Sequence, residues 1–198
     1  MAFNAYLMFH PKAEVFGEST SEPEKDAAKK GAMEITDYGF GVSMPVTTSR
    51  SDGGGATVGR ANFDVFTCSK NIDTATCKLV ELCTKGMSID SIVLHLYRQG
   101  ESSESGVVKY AMVVFQHCVI TKVGITGSGE ELPKESLEFN YGICEYYYQY
   151  TDHKTGKAGK PVVENAKART NAGWSTIKNK EEKGLQDFGT FVPVDARD

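Results

Sequence analysis

Apolar residues alternate with polar ones along most of the chain, and the alternation is broken at a few places. Phe3, Ala5, Leu7 and Phe9 mark a first strand. Residues 10–31 are polar and read as a surface loop with room for a short helix. In residues 33–42, Met33 and Ile35 share one face, and Tyr38, Phe40 and Val42 take the other. This is a strand whose phase slips near Asp37, as at a bulge. Alternation resumes over 60–68, with Phe63 and Val65 opposite Asn62 and Asp64.

A helix is predicted over 73–85. Asp73 suits an N-cap, Gly86 suits a left-handed C-terminal position, and Ala75, Leu79, Leu82 and Cys83 form one stripe at spacings of three and four. A single helix among strands should cover an open flank of a sheet. Ile92, Leu94 and Leu96 mark a strand over 89–98. Residues 107–125 are apolar on both faces and too long for one ordinary strand, which predicts a bend near Gln116 or His117. In 136–150 the apolar set moves from Leu137, Phe139, Tyr141 and Ile143 to Cys144, Tyr146, Tyr148 and Tyr150. A one-residue slip flips every side chain, so a bulge is expected near Gly142–Glu145. Strands curved in this way serve barrel closure.

The strand pattern predicts a mainly β fold: a compact antiparallel β-barrel of two sheets, with one flanking helix and a long extended loop over about 43–60. That loop is the most unusual segment. Met44, Val46 and Val58 are its sizeable aliphatic residues, and Gly53, Gly54 and Gly55 impose no backbone preference. It cannot bury enough apolar surface on its own to offset its ordering entropy. Loops beyond about 12–15 residues are usually functional or disordered. The segment therefore reads as an arm that orders on a partner, which favours assembly over catalysis; the plain alternative is an idle surface loop.

Composition narrows the class. The chain has 198 residues, 40% hydrophobic and 24% charged, with a formal net charge of −4. That suits one soluble domain over 1–180 followed by a charged tail over 181–198. The acidic balance argues against nucleic acid as partner, and no apolar run reaches a membrane span. The first ten residues lack a basic region and a cleavage site, so synthesis in the cytoplasm without a signal peptide is expected. The five cysteines, at 68, 77, 83, 118 and 144, are widely spaced and odd in number. They read as reduced thiols in a core.

Candidate chemistry is thin. His95, His117 and Cys118 lack the fourfold spacing of a structural zinc site, and packing explains them. Cys77 and Cys83 have apolar helix neighbours and no evident base. Gly53–Gly55 lacks the spacing of a phosphate loop. The tyrosines at 146, 147, 148 and 150 could stack on sugars or bases, but no basic face accompanies them upstream. No catalytic, metal or cofactor residue is assigned. The competing reading is a ligand-binding β-barrel module, for peptide or carbohydrate, with no role in assembly.

Several short motifs occur in a telling order. Met1-Ala2-Phe3 with Ala5-Tyr6-Leu7 opens the chain, followed by Gly17-Glu18-Ser19-Thr20. Gly39-Phe40-Gly41 leads into the arm and Gly59-Arg60-Ala61 closes it. Phe63, Val65, Lys70 and Asp73 precede the helix, and Gly156 to Gly159, Gly173-Trp174-Ser175 and Asn179-Lys180 follow the last strand. Over roughly residues 1–180 this order resembles the Hcp family, the tube-forming proteins of bacterial type VI secretion. The resemblance implies a homohexameric ring, stacked into a hollow tube that a contractile sheath expels, with small effectors in the lumen. Sheath, spike and effector proteins are the implied partners, and the destination is outside the cell. On this reading Pro45, Val46, Thr47, Thr48, Ser49, Arg50, Gly53, Gly54 and Gly55 form the ring-stacking loop, with Val46 to Thr48 suited to docking on a sheet edge. Gly17, Glu18, Ser19, Gly59, Arg60, Asp73, Gly86 and Trp174 carry over as structural motif residues. The charged stretch 21–31, residues 160–172 and the tail 181–198 depart from the family pattern.

Overall fold

The computed structural model describes residues 4–19, 31–47, 57–99, 107–127, 129, 132–148, 171–178 and 180–181. Among them, ten strands join in one antiparallel sheet: β1 (Asn4–Phe9), β2 (Met33–Ile35), β3 (Asp37–Gly39), β8 (Phe66–Asn71), β9 (Ser88–Gln99), β10 (Val107–Thr126), β11 (Lys134–Asn140), β12 (Ile143–Tyr148), β13 (Asn171–Ser175) and β14 (Lys180–Glu181). Two further two-stranded ladders, β4 (Val42–Ser43) with β7 (Asn62–Phe63) and β5 (Val46–Thr47) with β6 (Thr57–Val58), build the arm. The mainly β expectation holds.

The sheet curls on itself around one core of Leu7, Met33, Phe66, Leu94, Phe115 and Phe139 with their neighbours. Pairing runs from β1 through β9, β10, β11 and β8 to β3. From β3 the chain itself leads back through Thr36 to β2, which pairs with β1. The predicted phase slip sits here, and it hands the strand from one neighbour to the other. At this seam the Thr36 N–H donates to Ser69 O at 2.8 Å. The ladder does not run unbroken round the core, so the expected closed barrel of two sheets is corrected to one curled sheet, open at this seam.

The expected bend in β10 falls at His117. Ala111, Val113 and Phe115 enter the core, and then Cys118 and Ile120 do. The change from odd to even positions passes through His117, whose φ of 54° lies in the left-handed region. The strand alongside changes phase at the same level, from Leu137, Phe139 and Tyr141 to Cys144. Gly142 marks that change and donates its N–H to Gln116 O at 2.9 Å. Register is unbroken across the corner, with Gln116 opposite Ile143 and Val119 opposite Asn140. The neighbour β9 does likewise, burying Ile89 and then Ile92, Leu94 and Leu96 in the same core. Three adjacent strands therefore turn over along one line.

Helix α1 (Ala75–Lys85) buries Ala75, Thr76, Leu79 and Leu82 against the sheet. Gly86 ends it with φ 60°, its N–H directed at Cys83 O, while the Met87 N–H reaches Leu82 O at 3.2 Å. This is the expected left-handed stop. The helix begins two residues later than the predicted 73. The loop 10–31 contains one turn of 3-10 helix at Pro11–Ala13. The thiols need one correction: Cys68 and Cys118 are buried, but Cys77 is exposed on the outer face of α1. Among the described residues no helix is long and apolar enough to cross a membrane.

Candidate functional site: the arm and its base

Two clusters collect the motif residues. The first surrounds the start of α1. In β8 the inward positions are Phe66, Cys68 and Lys70, and in β11 they are Glu135, Leu137 and Phe139. Lys70 and Glu135 face each other across the ladder. Lys70 Nζ lies 2.9 Å from Glu135 Oε2 and 2.7 Å from Asp73 Oδ1, and it donates to Asn71 O at 3.0 Å. Thr76 Oγ1 donates to Glu135 Oε2 at 2.6 Å. Asp73 Oδ1 also accepts the Ala75 N–H at 2.9 Å, while the Asp73 N–H donates to Thr76 Oγ1 at 3.3 Å. The Asp73 side chain thus satisfies an N–H of the helix's first turn, and Thr76 Oγ1 satisfies the N–H of Asp73 itself. The Glu18 carboxylate accepts the Thr74 N–H at 3.1 Å, and Thr74 Oγ1 donates to Phe16 O at 3.0 Å. A negative group is favoured at this helix end. Gly17 and Ser19 hold the segment in place by donating to Gly31 O at 2.6 Å and Ala32 O at 3.3 Å. A Cβ on Gly17 would fall 2.5 Å from the Ala32 carbonyl oxygen, so glycine is required by close approach of backbone. Thr20 lies outside the described residues.

The second cluster is the arm's base. Gly41 O accepts the Asp64 N–H at 2.9 Å, Val42 pairs with Phe63, and Ser43 pairs with Asn62. Farther out the Gly59 N–H donates to Pro45 O at 3.0 Å, and Val46 and Thr47 pair with Val58 and Thr57. The long loop is thus a ribbon paired to itself along its stem, where the sequence suggested an extended strand awaiting a partner. Pairing in cis satisfies backbone groups that the small side chains could not compensate by burial. Glycine at 59 permits the close crossing, since a Cβ there would meet Pro45 Cγ at 2.9 Å. Thr48, Ser49, Arg50, Gly53, Gly54 and Gly55 lie outside the described residues.

Arg60 anchors the ribbon by donating from its guanidinium to the Thr176 carbonyl. Thr176 in turn donates its N–H and its hydroxyl to Gly142 O, each at 2.8 Å. Tyr141 Oη donates to Asp64 O at 3.0 Å, and burial raises its phenol above the ordinary range. The chain corner at Gly142, the arm's root and the segment after Trp174 are thereby tied together. Trp174 stands in β13 opposite Cys144 and Glu181. From this base the ribbon carries Val42, Met44 and Val46 into solvent, at 63%, 48% and 50% exposure. Contiguous apolar exposure of this kind marks an interaction surface.

Sequence reasoning missed Glu135 and Thr76 in the first cluster, and Asp64, Tyr141 and Thr176 in the second. The signal for Glu135 was present: it continues the inward odd positions of Leu137 and Phe139. The bonds of the second cluster mostly use backbone carbonyls, which no side-chain pattern encodes.

The family model for the type VI secretion system effector Hcp matches residues 10–148. A solved type six secretion system protein superposes with a TM-score of 0.74 at 24% identity, covering 91% of this chain and all of its own. Hcp1 from Salmonella typhimurium gives 0.65 at 18% identity, covering 92% of this chain and all of its own. Hcp1 from E. coli EAEC 042 gives 0.58 at 18% identity, over 75% of this chain and 91% of its own. These structures share the fold. No curated protein matches the chain significantly.

Proposed function

The chain belongs to the Hcp family of type VI secretion system effectors, and from that premise we propose that it is the repeating subunit of a secretion tube. Six copies form a ring, the rings stack, and the arm over Pro45–Gly59 makes the contact from ring to ring. The tube passes out of the cell under a contractile sheath and carries small effectors in its lumen. The protein leaves the cytoplasm as part of the tube it builds. Its activity lies in closed, repeated self-association, where a heterologous contact whose rotation closes gives a ring, and it needs no catalytic residue.

The observation that carries this reading is the ribbon with Val42, Met44 and Val46 set on exposed positions. The ribbon is anchored through Arg60 and stiffened by its own ladder. Such a projection presents a pre-ordered apolar face and an outer edge, which lowers the ordering cost of docking. The reading is tested by native mass spectrometry and negative-stain imaging of the full chain and of a chain lacking residues 46–57. Ring oligomers are expected from both, and tubes or stacked rings from the intact arm alone. A strict monomer at high concentration would overturn the ring, and undiminished stacking without the arm would overturn the arm's role.

A further inference from the structure

A cavity of about 640 Å³ opens where the arm's returning limb meets the corner of β10. Arg60, Asn62 and Phe63 line it from the limb, His117 from the corner, Asn140 from the end of β11, and Ile177 from the segment after Trp174. The fold leaves the polar members outside the core. Phe115 and Cys118 enter the core on either side of His117, so its imidazole stays exposed. Asn140 is exposed just beyond the inward Phe139. Ile177 is 65% exposed and lies against the corner because residue 142 is glycine: a Cβ there would stand 2.6 Å from Ile177 Cδ1.

The charge of this lining is one-sided. The chain carries 26 acidic residues against 22 basic ones, yet among the described residues no carboxylate side chain lines the cavity. Arg60 spends one guanidinium N–H on the Thr176 carbonyl and meets no acidic partner among the described residues. The side chains of Asn62, His117 and Asn140 make no hydrogen bond to any described residue. The imidazole donates one N–H when neutral and two when charged, and each carboxamide both donates and accepts. A guanidinium fork matches a carboxylate. Phe63 and Ile177 add an apolar wall that a bare inorganic anion would leave uncovered, and the two carboxamides suit the N–H and C=O of a peptide group.

We propose that this cavity binds the C-terminal end of a peptide whose last residue is aliphatic. Its carboxylate meets Arg60 and His117, its peptide groups meet Asn62 and Asn140, and its side chain covers Ile177. The cavity volume lies within the range of small-ligand sites, about 300–1,000 Å³. Because the lining comes from both the arm's limb and the strand corner, an occupant would bridge the two. This inference does not depend on tube formation.

Isothermal titration of the full chain with N-acetyl-Leu-Leu, as free acid and as C-terminal amide, tests it. The acid is expected to bind, and the amide to bind about ten- to a hundredfold more weakly, as for loss of hydrogen bonds to a charged group. Asn140→Asp, which sets a negative charge in the wall, should weaken the acid by a similar factor, with circular dichroism unchanged. In proton magnetic resonance the acid should move one histidine signal, and that signal should be missing from the His117→Gln chain. Acid and amide of equal affinity, or no binding by either, would overturn the proposal. So would inorganic phosphate or 4-methylpentanoate binding as tightly as the peptide acid, because the site would then take a simple anion or a small free acid.

Discussion

Lys70 and Glu135 are register partners on adjacent strands, 2.9 Å apart, with side-chain exposures of 1% and 0%. Two opposite charges meet inside the core, and the pair reaches α1 through Asp73 and Thr76. Desolvation of such a pair is expensive, so its net contribution to stability is small. Its strength is against loss of one member.

Lys70→Met should therefore destabilise the fold by about 3–5 kcal/mol, because Glu135 would remain fully buried, and Asp73 half-buried, without a cation. Lys70→Met/Glu135→Leu should recover part of that loss by removing the stranded carboxylate. Urea unfolding of the three chains checks both statements. A Lys70→Met chain within 1 kcal/mol of the original would show that water reaches the site and screens it, as for a surface pair at about 0–1 kcal/mol.

A second prediction concerns the corner. His117 has φ 54° in the middle of a strand, and a Cβ on Gly142 would stand 3.3 Å from His117 Cβ. Intrinsic strand preference favours Val over Gly at such a position. The left-handed backbone reverses the order, because a β-branched residue there is a genuine outlier. His117→Val is expected to lose about 1–2 kcal/mol, whereas His117→Gly should stay within about 1 kcal/mol of the original chain. Thermal unfolding of the two variants decides it: a valine variant as stable as the glycine variant would contradict the corner.

The corner also shows what was legible in the sequence. Phase changes at Asp37, at His117 and after Gly142 could be read from alternation alone, since a change of face leaves a mark in the order of residues. The helix stop at Gly86 was equally plain. What alternation cannot give is the neighbour of each strand. It marked the slip near Asp37 but did not show that the slip moves the chain from β1 to β8 and leaves the ladder open there. The self-pairing of the arm's stem was missed for a related reason. Its small polar residues correctly signalled that burial could not order it, but a ribbon orders through backbone pairing, and Val46 opposite Val58 leaves no compositional trace. Lys70 stood in view as a motif residue. Its depth follows once Phe66, Cys68 and Lys70 are set on one face, and that phase was missed by treating 60–68 as one strand when it is two short pieces meeting at Asp64 and Val65.

The thiols supply the last prediction. Burial pushes the Cys68 thiol from its ordinary 9.0 up to about 12, with Asp37 adding to the shift. Burial likewise takes Cys144 to about 12, helped by Glu145, and raises Cys118 as well. A thiol whose folded value is raised keeps its proton after the unfolded chain has released its own. Stability is therefore full below about pH 9 and falls as pH rises from 9 toward 12. Each such thiol steepens that fall by up to about 1.4 kcal/mol per pH unit. Urea unfolding under reducing conditions at pH 8 and pH 10 is expected to show the loss, and Cys68→Ala should lose stability at pH 8 through its cavity yet show a shallower decline with pH. In the folded chain at pH 8, iodoacetamide should modify exposed Cys77 first and reach Cys68 and Cys118 after unfolding. Equal pH slopes in the original and Cys68→Ala chains, or early alkylation of Cys118, would show that these thiols are open to water and that the curled sheet does not enclose them.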